Sequence, residues 1–252
     1  MGKVTELAEY SDDRGNSIAF DGTLGGKISI TFKGRNNRII APKGARIEYL
    51  NVNFDCDNGT LILGANTEVG GIKAAIRIGQ DATVKFGDNV NMTGHCMITA
   101  VEGCTVSFGD DVMMAQENQF RTDDAHPIFD VTTGKRINTA RDVTIGNHVW
   151  FANGAVALAG ARVGDGSVIG FRSLVTGKIS NNCIAVGSPA RVTRRNIAWE
   201  RPHLSLVPPF YKPDVSTVEK SAYWALTEGD EPVVRRRTLV RRLRDASVAF
   251  TR

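Results

Sequence analysis

Cysteine and histidine are both scarce in this chain of 252 residues. The four cysteines, Cys56, Cys96, Cys104 and Cys183, show neither the paired spacing of a metal site nor a disulfide framework. They are expected to be small buried hydrophobes in a reducing cytosol. No metal is expected. No apolar run is long enough to cross a membrane, and the first residues do not resemble a signal peptide. Glu6 stands where N-myristoylation takes Ser or Thr. A cytoplasmic location is expected. No Gly-x-Ser-x-Gly elbow is present and no activated cysteine is evident, which argues against an acyl-enzyme. Net positive charge is missing from most of the chain. The net charge is +4, yet residues 191–252 hold 13 Lys and Arg against 7 Asp and Glu, leaving the remainder slightly acidic. That basic end is a candidate contact for an anionic polymer or a membrane surface, and equally a solvated charged tail. Nucleic acid is not among the expected partners.

What the chain does have is a six-residue beat. Ile145, Phe151, Ala157, Val163, Ile169 and Val175 fall at strict i, i+6 spacing, with Gly146, Gly164 and Gly170 directly after three of them. A helix asks for a period of 3.6 and a simple sheet for 2. A period of six fits a parallel β-helix, each unit being a short flat face followed by a corner. The apolar residue is expected to point inward and the glycine to turn the corner at positive φ. A longer repeat overlies the beat. Thr83–Val90 returns as Thr105–Val112, shifted by 22, and again as Asp142–Val149, shifted by a further 37. Thr60–Gly64 is an earlier, weaker copy. The beat is ragged from about Ile28 and absent in the polar residues 1–24.

Residues 122–141 interrupt the repeat and read as an extruded loop, a frequent setting for function. The expected organisation is an all-β solenoid domain over 1–200 and an extension over 201–252. Pro202, Pro208, Pro209 and Pro213 mark a loop-like start to the extension. A short helix is expected from about Val215 to Leu226. A basic helix with six arginines is expected over 232–250.

His126 lies in the interrupting loop beside Asp123 and Asp124. An imidazole there can take a proton near neutral pH, and a carboxylate can fix its tautomer. The plain alternative is a surface histidine. Farther on, Val149 and Trp150 cannot both point inward. Trp150 is therefore either an exposed platform for a ligand or subunit, or a partly buried structural tryptophan.

Several runs together resemble a known family. They are Asp124-Ala125-His126-Pro127-Ile128-Phe129, Ile145-Gly146-Asn147-His148-Val149-Trp150-Phe151, Val168-Ile169-Gly170 through Val175-Thr176, and Ala185-Val186-Gly187-Ser188-Pro189-Ala190-Arg191. With the hexads they resemble the left-handed β-helix, hexapeptide-repeat acyltransferases that use acetyl-CoA, over residues 60–200. The loop wording, with Gly134-Lys135-Arg136-Ile137-Asn138 and Asn196-Ile197-Ala198-Trp199, is similar to bacterial polysialic acid capsule O-acetyltransferases.

The resemblance implies a left-handed parallel β-helix that works as a homotrimer with the active site between subunits. It makes His126 the general base and Trp150 the tryptophan beside acceptor and cofactor. It places acetyl-CoA contacts on Asn153, Phe171 and Thr176, with Lys178 close to the family's lysine. Arg172, Arg194 and Lys178 could pair with CoA phosphates. Phe171 departs from the family's small residue. The Asn that places the acceptor in some relatives aligns near Met97 or His95. The implied activity is O-acetylation of a saccharide hydroxyl, with a bacterial capsular or surface polysaccharide as acceptor. The alternatives are N-acetylation of a sugar nucleotide and a non-catalytic polymer-binding solenoid. Carbonic anhydrases of the same fold need three convergent histidines, and the spacing of His95, His126 and His148 does not resemble theirs.

Overall fold

A computed structural model describes residues 2–24 and 26–229. The chain winds as a parallel β-solenoid with three hydrogen-bonded faces. The first face has eight strands, from Gly2–Val4 to Leu174–Val175, and the second has nine, from Leu7–Ser11 to Lys178–Ile179. The third has six and begins only at Asn91–Met92. Strand pairing is parallel except for two antiparallel pairings at the N-terminal end and one at the C-terminal end.

The register reproduces the repeats. Thr83, Val84 and Phe86 pair with Thr105, Val106 and Phe108, which continue onto Val143 and Ile145. Thr60 pairs with Thr83. In the clean region Ile145 pairs with Val163, Phe151 with Ile169 and Ala157 with Val175, so three hexads make one coil. The earlier beat is ragged because those coils advance by about 22 residues and lack a bonded third face before Asn91. Residues 2–24 are not outside the fold. Ser17–Leu24 already pairs in parallel with Arg38–Ile40, and Leu7–Ser11 caps it in antiparallel.

Inward residues stack on their equivalents. Phe32 lies on Phe54 with centroids 5.1 Å apart, and Phe86 on Phe108 at 5.0 Å. Those spacings follow the ~4.7–4.9 Å separation of neighbouring strands. Phe120 and Phe151 carry the aromatic contact onward edge to face. Of the cysteines, Cys96 and Cys183 are buried as expected, and burial pushes the Cys96 thiol up to about 12. Cys104 is only half-buried, and Cys56 is exposed because it sits on the corner that follows the strand Ile47–Phe54.

The glycines directly after the inward residues have a different reason from the one expected. Gly64, Gly87, Gly109, Gly146 and Gly164 do not adopt positive φ. A Cβ on Gly64 would lie 2.0 Å from the carbonyl oxygen of Gly87, and one on Gly164 would lie 2.5 Å from the Asn181 nitrogen. Close approach of the next coil excludes a side chain there. After four of these glycines the left-handed conformation falls two residues later, on Asn89, Asp111, His148 and Gly166. Asp and Asn between these positions staple the coils together. Asp88, Asp110, Asn147 and Asp165 each accept a backbone N–H from the preceding coil at 2.8 Å.

Strands end at Arg191–Arg194, and residues 195–229 return along the solenoid without regular structure apart from one turn of 3-10 helix at Val215–Thr217. The helix expected to Leu226 does not form. Asp214 caps Ser216, while Glu200 takes the backbone N–H of Ser221 and the indole N–H of Trp224, drawing the chain off a helical path. The basic helix expected over 232–250 lies outside the described residues.

Two substitutions separate these constraints. Gly64→Ala is expected to lower the urea midpoint sharply, because backbone must move to admit the methyl. Gly177→Ala meets nothing within 4 Å and is expected to leave the midpoint unchanged or slightly raised. Phe108→Ala is expected to cost about 3–5 kcal/mol in the same titration.

Candidate active site

The interrupting loop leaves the first face after Gln119–Arg121 and rejoins the second at Val143–Ile145. It is braced. Asn138 Nδ2 donates to Asp124 Oδ2 at 3.1 Å and to the His126 carbonyl at 2.9 Å, and its Oδ1 accepts from the Ile128 N–H at 2.7 Å. Arg136 joins Glu102 at 2.5 Å, anchoring the loop to the coil beneath. Glu102 is thereby held below the usual carboxylate range, chiefly by that hydrogen bond.

His126 is exposed at the tip of this frame. Neither neighbouring carboxylate touches its ring. Asp123 Oδ2 instead accepts the Ala125 N–H at 2.8 Å, and Asp124 faces Asn138. Asp123 Oδ1 is buried with no hydrogen-bond partner among the described residues. Around the loop, Met97, Ile128, Phe129, Val131 and Ile137 are exposed apolar groups.

Trp150 sits on the third face, half-buried, beside an inward Val149. The loop springs from the junction of the first and second faces. A single protomer therefore does not bring His126 and Trp150 onto one surface. Asn153 and Phe171 share the corner between third and first faces, one coil apart, where the Asn153 carbonyl accepts the Arg172 N–H at 2.9 Å. Phe171 is 65% exposed, and the Arg172 guanidinium lies 5.3 Å over its ring. Thr176 and Lys178 lie at the next corner, with Lys178 in register beside Arg162 on the second face. Arg194 is on the third face opposite Ile184. The expected donor-binding residues thus form one cluster at a corner, a pair at the next, and a separate arginine.

Sequence reasoning missed the most densely bonded group. His148 is buried, with Nδ1 2.5 Å from Asp111 Oδ2 and Nε2 2.9 Å from the Trp199 carbonyl oxygen. Its ring is sandwiched between Trp199, 4.1 Å away, and Tyr223, 4.7 Å away. Both ring nitrogens face oxygen atoms. Asp111 also takes Arg201, at 2.5 Å, and Arg201 reaches Asn91 at 2.8 Å. Burial pushes the Asp111 carboxyl up, but His148 and Arg201 outweigh it and hold the group below the usual carboxylate range. The signal was present: the repeat places Asp111 and His148 at equivalent positions of adjacent coils.

His95 is exposed, edge-on to Tyr49 at 4.4 Å. Among the described residues no group of three His, Cys, Asp or Glu converges as a metal site would require.

No family model matches the sequence. The polysialic acid O-acetyltransferase of Escherichia coli O1:K1 / APEC is 33% identical over 138 residues, 50% of this chain and 45% of that protein. The polysialic acid O-acetyltransferase of Neisseria meningitidis is 30% identical over 138 residues, 55% of this chain and 63% of that protein. The chain thus spans about half to three-fifths of the length of these curated relatives. A crystal structure of a polySia specific acetyltransferase matches with a TM-score of 0.64 and 32% identity, over 71% of this chain and 83% of that one. The chain belongs to the left-handed β-helix, hexapeptide-repeat acetyltransferases. Within that family it is similar to the polysialic acid O-acetyltransferases.

The Asp111 carboxylate has a depressed folded pKa, so its contribution is complete above the ordinary value near 4 and is lost as pH falls through the folded value. Asp111→Asn is expected to destabilise the protein by about 1.5–3 kcal/mol at pH 7. The gap from wild type, read from urea midpoints, should narrow as the pH is lowered below 4.

Proposed function

We propose that the chain transfers an acetyl group from acetyl-CoA to a hydroxyl of a saccharide, with a bacterial capsular or surface polysaccharide as acceptor. The observation that carries this reading is the placement of His126. It stands exposed on a loop braced by Asn138 and Arg136, in a chain whose relatives are named O-acetyltransferases.

An alcohol is too weak an acid to attack a thioester unaided. The His126 imidazole accepts the acceptor hydroxyl's proton as the new C–O bond forms, a contribution of about 10²–10⁴-fold. The loop bonds fix the backbone of His126 and leave its ring free to meet substrate. Acetyl-CoA, when bound, supplies the acetyl group as a thioester. The chain's groups suit that ligand. Arg172 and the registered pair Arg162 and Lys178 offer charge to phosphates, and the exposed Phe171 ring offers a flat apolar face.

A homotrimer with the site between subunits accounts for three features of one protomer. His126 and Trp150 stand on different sides of the solenoid. The loop is surrounded by exposed apolar groups. Asp123 Oδ1 is buried and has no partner among the described residues. The basic end of the chain, residues 191–252, suits an anionic polymer acceptor. This reading places the protein in the cytoplasm, where acetyl-CoA is made.

The test is thiol release from acetyl-CoA with neutral and acidic oligosaccharides. His126→Ala is expected to lower acceptor-dependent kcat by about 10²–10⁴-fold with the KM for acetyl-CoA little changed. Release that persists in the variant would remove His126 from the chemistry. No release from wild type with any acceptor, together with no binding of CoA by calorimetry, would favour a non-catalytic solenoid.

A further inference from the structure

The chain has three tryptophans, and all three line one cavity of about 480 Å³. That volume lies within the ~300–1,000 Å³ typical of small-ligand sites. One wall is the third face of the solenoid, where Met113 and Trp150 are registered neighbours. The other walls come from residues 198–224, including the apolar Leu204, Val215 and Val218. Most of the enclosure therefore lies beyond residue 200, outside the stretch that resembles the family.

The hydrogen bonds of this cavity are unevenly spent. The Trp199 indole N–H donates to the His148 carbonyl at 2.9 Å, and the Trp224 indole N–H to Glu200 Oε1 at 2.6 Å. The Trp150 indole N–H has no partner among the described residues, and its ring is only half-buried. Lys212 is half-buried and donates to the carbonyls of Val207, at 2.7 Å, and Pro209, at 2.8 Å. Both acceptors are neutral, and among the described residues no carboxylate pairs with it. A third N–H and a whole positive charge remain. Trp224 is 40% exposed, with Lys220 stacked 4.7 Å from its ring centroid.

Aromatic faces with one indole donor and one ammonium donor suit a ligand with flat C–H surfaces and an edge of oxygen acceptors. A sugar ring has both. Its axial C–H groups pack on indole, and its hydroxyl or carboxylate oxygens accept hydrogen bonds. We propose that this cavity is a saccharide subsite, built by the chain's own C-terminal segment, that holds one ring of the acceptor chain beside Trp150. The proposal rests on the acetyltransferase reading for the identity of its ligand as acceptor, but the binding is separable from the chemistry. The His148–Asp111–Arg201 cluster holds the cavity's shape, since it ties Trp199 and Arg201, both lining residues, to the solenoid.

Because every tryptophan lines the cavity, intrinsic emission reports its occupancy. The full-length protein, without acetyl-CoA, is titrated with oligosialic acid and separately with a neutral malto-oligosaccharide. A saturable change in emission is expected with at least one of them. A response to oligosialic acid alone would assign the Lys212 charge to a sugar carboxylate, and a response to both would assign it to hydroxyls. Trp224→Leu is expected to weaken that binding at least about tenfold, and Trp224→Phe to retain most of it. In steady state the acceptor KM should rise by a similar factor in Trp224→Leu, with kcat and the KM for acetyl-CoA unchanged. Circular dichroism of both variants checks folding. Trp224→Leu binding within about twofold of wild type would overturn the subsite, as would the absence of any emission change with either sugar. Wild type that releases no thiol, yet binds sugar in a Trp224-dependent way, would sink the transferase reading and leave the subsite standing.

Discussion

Everything in this protein depends on the separation between one coil and the next. Strand pairing holds neighbouring backbones about 4.8 Å apart, and each coil must place like upon like at that distance. Flat rings meet the requirement inside, as Phe86 on Phe108 does. At the corners it excludes side chains, since a Cβ on Gly64 or Gly164 would enter the neighbouring backbone. The same closeness lets Asp88, Asp110, Asn147 and Asp165 reach the adjacent backbone N–H. Core, corner and staple answer one spacing.

A stack so regular tolerates departures at its corners. The loop over 122–141 is inserted between two strands, yet Phe120 still pairs with Ala157 and Phe108 with Ile145 across the gap. Register on either side is fixed by the neighbouring coils, so the insertion is free to carry His126 outward on its own bracing. The C-terminal segment is a second departure. It is held by a few strong contacts, with Arg201 and Trp199 gripping Asp111 and His148. Both departures present chemistry-bearing groups on a scaffold that does not itself need them.

Much of this was legible from spacing. The hexads from Ile145 to Val175 gave the faces, and the shifts of 22 and 37 gave the register. The loop around His126 was visible as a break. Positive φ was the wrong physical reason for Gly146, Gly164 and Gly170, though it holds at Gly154, Gly160 and Gly166, because periodicity does not say whether a glycine is required by torsion or by crowding. The helix expected near Val215 fails because Glu200 captures Ser221 and Trp224, contacts between residues 21 and 24 positions apart. The partners expected for His126 also differ, since Asp123 Oδ2 and Asp124 Oδ2 accept hydrogen bonds from Ala125 and Asn138 within the loop.

The solenoid, its register and the presence of a histidine-bearing loop are already written in the linear pattern. These follow from a local rule, one apolar residue inward and one tight corner in each six, that a linear pattern records directly. Which groups meet across coils and across the return of the chain depends on the folded path. It set Asp111 against His148, Asn138 against the His126 backbone, and three tryptophans around one cavity. Those meetings depend on the path of an irregular segment, which is chosen by the contacts it finds rather than by any period it carries.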